Sequence, residues 1–82
     1  MQVFPNPFNS TATIRYHLKK STFIMIELYD CRGCLLKKLL QENAHGGDHA
    51  LLLDDIDLPS GTYIIRLQVD DGIAYRRLVC LK

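Results

Sequence analysis

The sequence predicts an all-β fold, a small antiparallel sandwich of six or seven short strands. Three observations carry this. Runs of alternating or β-branched residues recur along the whole chain. Turn signals separate them, at Lys19-Lys20-Ser21, Asp30-Cys31-Arg32-Gly33, Gly46-Gly47, Pro59-Ser60-Gly61 and Asp70-Asp71-Gly72. The run Thr62 to Val69 is the clearest strand: Tyr63, Ile65, Leu67 and Val69 share one wholly apolar face, and Thr62, Ile64, Arg66 and Gln68 share the other. The chain has 82 residues, enough for one thin core, and area scaling gives a folded surface of roughly 5,000 Å². The opening Met1-Gln2-Val3 runs straight into a proline motif, so the chain reads as a piece of something larger.

Taken in order, Pro5-Asn6-Pro7 imposes an extended lead-in, because each proline fixes its own φ and pushes its predecessor out of the helical region. A segment that lacks two ladder donors belongs at a sheet edge. Asn9-Ser10-Thr11 matches a glycosylation sequon, a tripeptide that arises often by chance. Thr11 to Leu18 is a half-buried strand, with Ala12, Ile14, Tyr16 and Leu18 inward and Thr11, Thr13, Arg15 and His17 outward. Thr22 to Tyr29 follows, with Ile24, Ile26 and Leu28 inward. Glu27 points outward there beside Phe23, Met25 and Tyr29, which makes the outer surface partly apolar.

Cys34 to Leu40 reads in isolation as an amphipathic helix, since its paired leucines and lysines repeat at helical spacing and no residue is β-branched. Its place after a hairpin turn and among strands argues for a strand. Gln41 to Asp48 reads as a polar loop, and His49 to Leu53 as a short apolar strand. Asp54-Asp55-Ile56-Asp57 is a solvated acidic loop whose spacing does not fit a calcium-loop pattern. Tyr63, just past the central turn, is placed to bury its ring and return its hydroxyl to the backbone, as corner tyrosines of immunoglobulin-like sandwiches do. Ile73 to Leu81 is the last strand. Its inward face is undecided between the Ile73, Tyr75, Val79 set and the Ala74, Leu78, Cys80 set, and Arg76-Arg77 gives it a basic middle.

Chemistry-bearing motifs are few. Cys31-x-x-Cys34 flanks a β-turn instead of opening a helix, which argues against a thioredoxin-like role and leaves a turn disulfide open. Cys31, Cys34, His45 and His49 fall in zinc-finger order. The central spacer is short, however, and Gly46-Gly47 breaks the helix that should carry the histidines, so no metal or other cofactor is expected. A net charge of +1 with scattered basic residues gives no pull toward nucleic acid, and no segment has the apolar length to insert in a membrane. No nucleophile context or phosphate loop is present.

Six further blocks, in order, resemble one family. They are Phe4-Pro5-Asn6-Pro7-Phe8-Asn9; Thr13-Ile14-Arg15-Tyr16; Leu28-Tyr29-Asp30 with Gly33; Gly47-x-His49; Pro59-Ser60-Gly61-x-Tyr63 with Arg66-Leu67; and Arg77-Leu78-Val79-Cys80-Leu81-Lys82. Together they resemble the C-terminal sorting domain of cargo proteins of the bacterial type IX secretion system, over nearly the whole chain. The family usually carries a basic or polar residue where Cys34 stands and often a tryptophan near Leu53. Its pattern treats residues 34–40 as a strand.

The resemblance implies an immunoglobulin-like sandwich with no enzyme activity. Such a domain is linked to an N-terminal cargo, recognised by protein components of the outer-membrane secretion machinery, and cut off when the cargo is joined to surface lipopolysaccharide. The cargo reaches the medium or the cell surface through the periplasm and outer membrane. On this view Arg76, Arg77, Leu78, Val79, Leu81 and Lys82 are the recognition residues, and the last strand docks by backbone pairing. Pro5, Asn6, Pro7, Gly33, Gly47, Gly61 and Tyr63 shape the fold. The competing reading is an immunoglobulin-like accessory or adhesion spacer that carries no export information.

Overall fold

The structure is a computed structural model in which residues 1–5, 7–8, 11–54 and 58–81 are described. Seven antiparallel strands form among them: β1 (Gln2–Phe4), β2 (Thr11–Leu18), β3 (Thr22–Asp30), β4 (Leu35–Ala44), β5 (Gly47–Asp54), β6 (Gly61–Val69) and β7 (Gly72–Cys80). They build a three-stranded sheet in the order β1-β2-β5 and a four-stranded sheet in the order β4-β3-β6-β7. Hairpins β3–β4 and β6–β7 stay within the larger sheet, while the β2–β3 and β4–β5 connections cross between layers. This is the two-layer sandwich that the strand spacing predicts, and its accessible surface, 5094 Å², matches the size-based expectation.

The core is made by the inward face of each sheet. β2 supplies Ala12, Ile14, Tyr16 and Leu18, β3 supplies Ile24, Ile26 and Leu28, and β6 supplies Tyr63, Ile65 and Leu67, all buried. Alternation of apolar and polar residues at period two places each set on one side of its strand. Tyr63 donates its hydroxyl to the Pro59 carbonyl, the expected corner bond that ties the turn to the central strand.

Several local expectations are revised. The polar loop expected over Gln41 to Asp48 shrinks to His45-Gly46, because β4 continues to Ala44 and β5 begins at Gly47. Polar side chains there belong to an exposed edge strand, where they face water without breaking the backbone ladder. Helical propensity in the Leu-Leu-Lys-Lys-Leu-Leu run is overridden by pairing with β3, at the cost of register shifts between Ile26 and Glu27 and between Leu28 and Tyr29. Glu27 lies on the outward side as expected but is buried, covered by its own ion-pair and hydrogen-bond partners. In β7, Leu78 and Cys80 face the core and Ile73 and Tyr75 face out, which decides the parity left open by the sequence.

The lead-in segment joins the layers, and it bends at Pro5 and Pro7 where the sequence predicts an extended path. β1 pairs with β2 in the small sheet, and Phe8 then bridges in parallel to Cys80 at the edge of the large one. Phe8 is 2% exposed. Phe8→Ala is expected to cost about 3–5 kcal/mol, a large part of the roughly 4–12 kcal/mol available to a domain this size. The urea unfolding midpoint measures it.

Candidate docking surface

β7 is an edge strand. Its pairing with β6 is unbroken from Gly61↔Cys80 to Val69↔Gly72. The two-residue turn makes Val69 and Gly72 the closing pair, so the even-numbered residues of β7 bond β6 and the odd-numbered ones turn their N–H and C=O groups outward. The far end of that outward edge is already taken. Phe8 N–H donates to the Val79 carbonyl at 2.9 Å, and Leu81 N–H donates to the Phe8 carbonyl at 2.8 Å. Ile73 and Tyr75 sit on the uncovered part, 50% and 57% exposed.

The residues expected to be recognised therefore divide by location. Arg76 and Arg77 are exposed in the middle of β7, and Leu81 is exposed just beyond it. Val79 is half-buried. Leu78 is fully buried and packs in the core. Lys82 lies outside the described residues. The basic middle and the apolar terminus are thus on one strand, but only its first half offers a free edge.

Arg76 reaches across to the other layer. Its Nε–H donates to the Met1 carbonyl at 3.0 Å and its Nη1–H to the Tyr75 carbonyl at 2.7 Å. With Arg77 it borders an open groove of about 490 Å³ whose opposite wall is Met1, Gln2, Val3 and Phe4. On the outer face beside β7, the Tyr29 hydroxyl donates to Glu27 Oε1 at 2.9 Å, and Arg66 Nη1–H donates to the same oxygen at 3.0 Å. Hydrogen bonds that Arg66 donates, to Tyr75 first and to Glu27, raise its pKa above its already high value. The Tyr29 phenol is also raised, chiefly by its bond to Glu27. Ile73 and Tyr75 are thus apolar surface set beside a satisfied charge pair.

Of the motif residues, Gly61 and Tyr63 pair directly with Cys80 and Leu78 of β7. The Phe4–Pro5 peptide is cis, and Pro5 and Pro7 are exposed on the path from β1 to Phe8. Asn6 lies outside the described residues, as do Asn9 and Ser10 of the sequon and Asp55, Ile56 and Asp57 of the acidic loop. Gly33 closes the β3–β4 turn at φ 89° and Gly47 opens β5 at φ 121°, conformations that a side chain would strain. Gly61 heads β6, where an added Cβ would lie 4.0 Å from the Tyr63 hydroxyl. Asp30 organises the Gly33 turn: its Oδ1 accepts the N–H of Arg32 at 2.9 Å and of Cys34 at 3.0 Å.

The zinc-like set does not converge. Cys31 and Cys34 are exposed free thiols at one end of β4, and His45 lies past the other end. A ten-residue strand separates them by about 30 Å. His49 instead stacks on Tyr16 at 5.3 Å and donates Nε2–H to the His45 carbonyl at 2.8 Å. Sequence reasoning quoted Phe8 only as part of a motif. The available signal was a large apolar residue set immediately after the second proline of an exposed, polar lead-in.

The fold is thus a two-layer antiparallel sandwich whose last strand is a sheet edge, bonded at its end by Phe8. The chain matches the family described as secretion system C-terminal sorting domain over residues 2–81, and it belongs to that family. The resemblance to type IX sorting tails read from the six blocks is thereby borne out. No curated protein matches the chain. The family consists of non-catalytic targeting modules, which implies an N-terminal cargo, its export, and recognition by secretion machinery.

The Asp30 turn gives a pH dependence. The Cys34 amide above all, then the Arg32 amide and guanidinium, hold the Asp30 carboxyl below its ordinary 3.8 despite partial burial. A depressed folded-state value means the turn contributes stability in full above about pH 4 and loses it as pH falls through that lower value. The melting-temperature gap between wild type and Asp30→Asn should therefore be widest near neutrality and should close in acid.

Proposed function

We propose that this domain is the C-terminal secretion signal of a larger protein, recognised by the type IX machinery of the outer membrane for export and surface attachment of its cargo. It performs no chemistry itself, and it engages neither nucleic acid nor lipid directly. Its recognition surface is β7: Arg76 and Arg77 supply charge, Leu81 and the half-buried Val79 supply apolar contact, and Lys82 continues the basic character. Leu78 contributes indirectly, by anchoring the strand in the core.

The supporting observation is the family match over residues 2–81, which spans the same unit that folds around one core, from β1 to the end of β7. The β7 edge supplies a physical means. A partner strand can add to it by main-chain hydrogen bonds, with flanking side chains setting specificity.

Fusing the domain to the C-terminus of a neutral passenger tests the reading in a type IX-competent bacterium and in a strain lacking the translocon. Passenger accessible to protease on intact competent cells, and periplasmic in the defective strain, is the expected result. Passenger kept in the periplasm of competent cells that still export their own cargo would overturn it and leave an accessory spacer.

A further inference from the structure

Resting on β7 as the docked strand, we infer that the free edge at Ile73 and Tyr75 accepts an extended protein segment bearing a carboxylate, and that Arg76 is the residue that selects it. The two edges of the large sheet are built differently. β4 carries Lys37 and Lys38 and two register shifts against β3, all of which discourage strand addition. β7 has an unbroken ladder to β6 and exposes Ile73 and Tyr75, residue types that favour strand pairing.

What covers the β7 edge is Arg76. Its guanidinium bonds two neutral backbone carbonyls, those of Met1 and Tyr75, and the second lies on the outward edge itself. While that contact holds, Arg76 takes one lone pair of the Tyr75 carbonyl and competes there with an incoming N–H. A carboxylate is a stronger acceptor for guanidinium than a neutral carbonyl. An incoming strand with an acidic side chain at this position draws Arg76 away and frees the Tyr75 carbonyl for the strand's own N–H. A neutral or basic strand offers the guanidinium nothing in exchange for its bond to the Tyr75 carbonyl. The groove between β7 and β1 gives the displaced guanidinium and its new partner room. Beyond Arg77 the path is closed by Phe8, so the added strand is short and ends where the lead-in segment begins.

The probe is a fluorescein-labelled peptide, Thr-Val-Thr-Glu-Val-Thr-Val, with Gln and Lys versions at the Glu position, titrated into the 82-residue chain at low salt. Amide exchange of the chain is followed by NMR. The Glu peptide is expected to bind roughly tenfold more tightly than the Gln peptide, and to slow exchange at the Ile73 and Tyr75 amides. Arg76→Gln should reduce that preference to about twofold or less while the spectrum stays folded. Ile73→Pro removes an outward N–H without touching the β6 ladder and should abolish binding. Equal binding of Glu and Gln peptides, protection appearing on β4 instead, or no binding of any peptide would overturn the proposal. Surface display of a fused passenger, persisting alongside any of those results, would leave the sorting role standing without it.

Discussion

Two backbone hydrogen bonds at Phe8 hold the ends of this chain together. A sandwich this small has little area to spare, and its last strand lies at a sheet edge, where it has a neighbour on one side only. Phe8 supplies the missing neighbour for the final residues of β7 and buries its ring in the core at the same point. The prolines before it make this possible. Pro5 and Pro7 sit at bends on the path from β1 to Phe8, and each fixes its own φ there. The first and last stretches of the sequence are therefore one structural unit.

That unit gives β7 a defined surface. Leu78 and Cys80 fix the strand from below, Phe8 fixes its end, and what remains exposed is a short edge with two arginines beside it. The cargo of a sorting domain would join near β1, on the opposite wall of the groove that Arg76 spans. Met1 and β7 are neighbours in space although they lie at opposite ends of the sequence.

Much of this was legible in the sequence because period-two alternation states which face is buried. Ala12 to Leu18 and Tyr63 to Leu67 behave as written, and so does the Tyr63 corner. β4 was ambiguous because leucine and lysine are good helix formers, and only pairing with β3 decides against them. β7 was ambiguous because both of its faces carry large apolar residues, and the outward ones are the edge surface. Glu27 looked solvent-facing because alternation reports the side of a strand and not what lies over it: Arg66 and Tyr29 come from register and from the same face. Arg76 was singled out by charge, but its bridge to Met1 depends on the topology that brings the first residue beside the last strand.

Native-state hydrogen exchange of the Leu81 amide tests the clasp most directly. That N–H lies beyond the last strand, where a frayed terminus would exchange at the rate of free peptide. With the clasp as described, Leu81 should exchange only through global unfolding, with protection matching that of the Ile65 amide in the central strand. Rapid exchange at Leu81 beside a protected Ile65 would mean that the end of β7 is open and that Phe8 does not hold it.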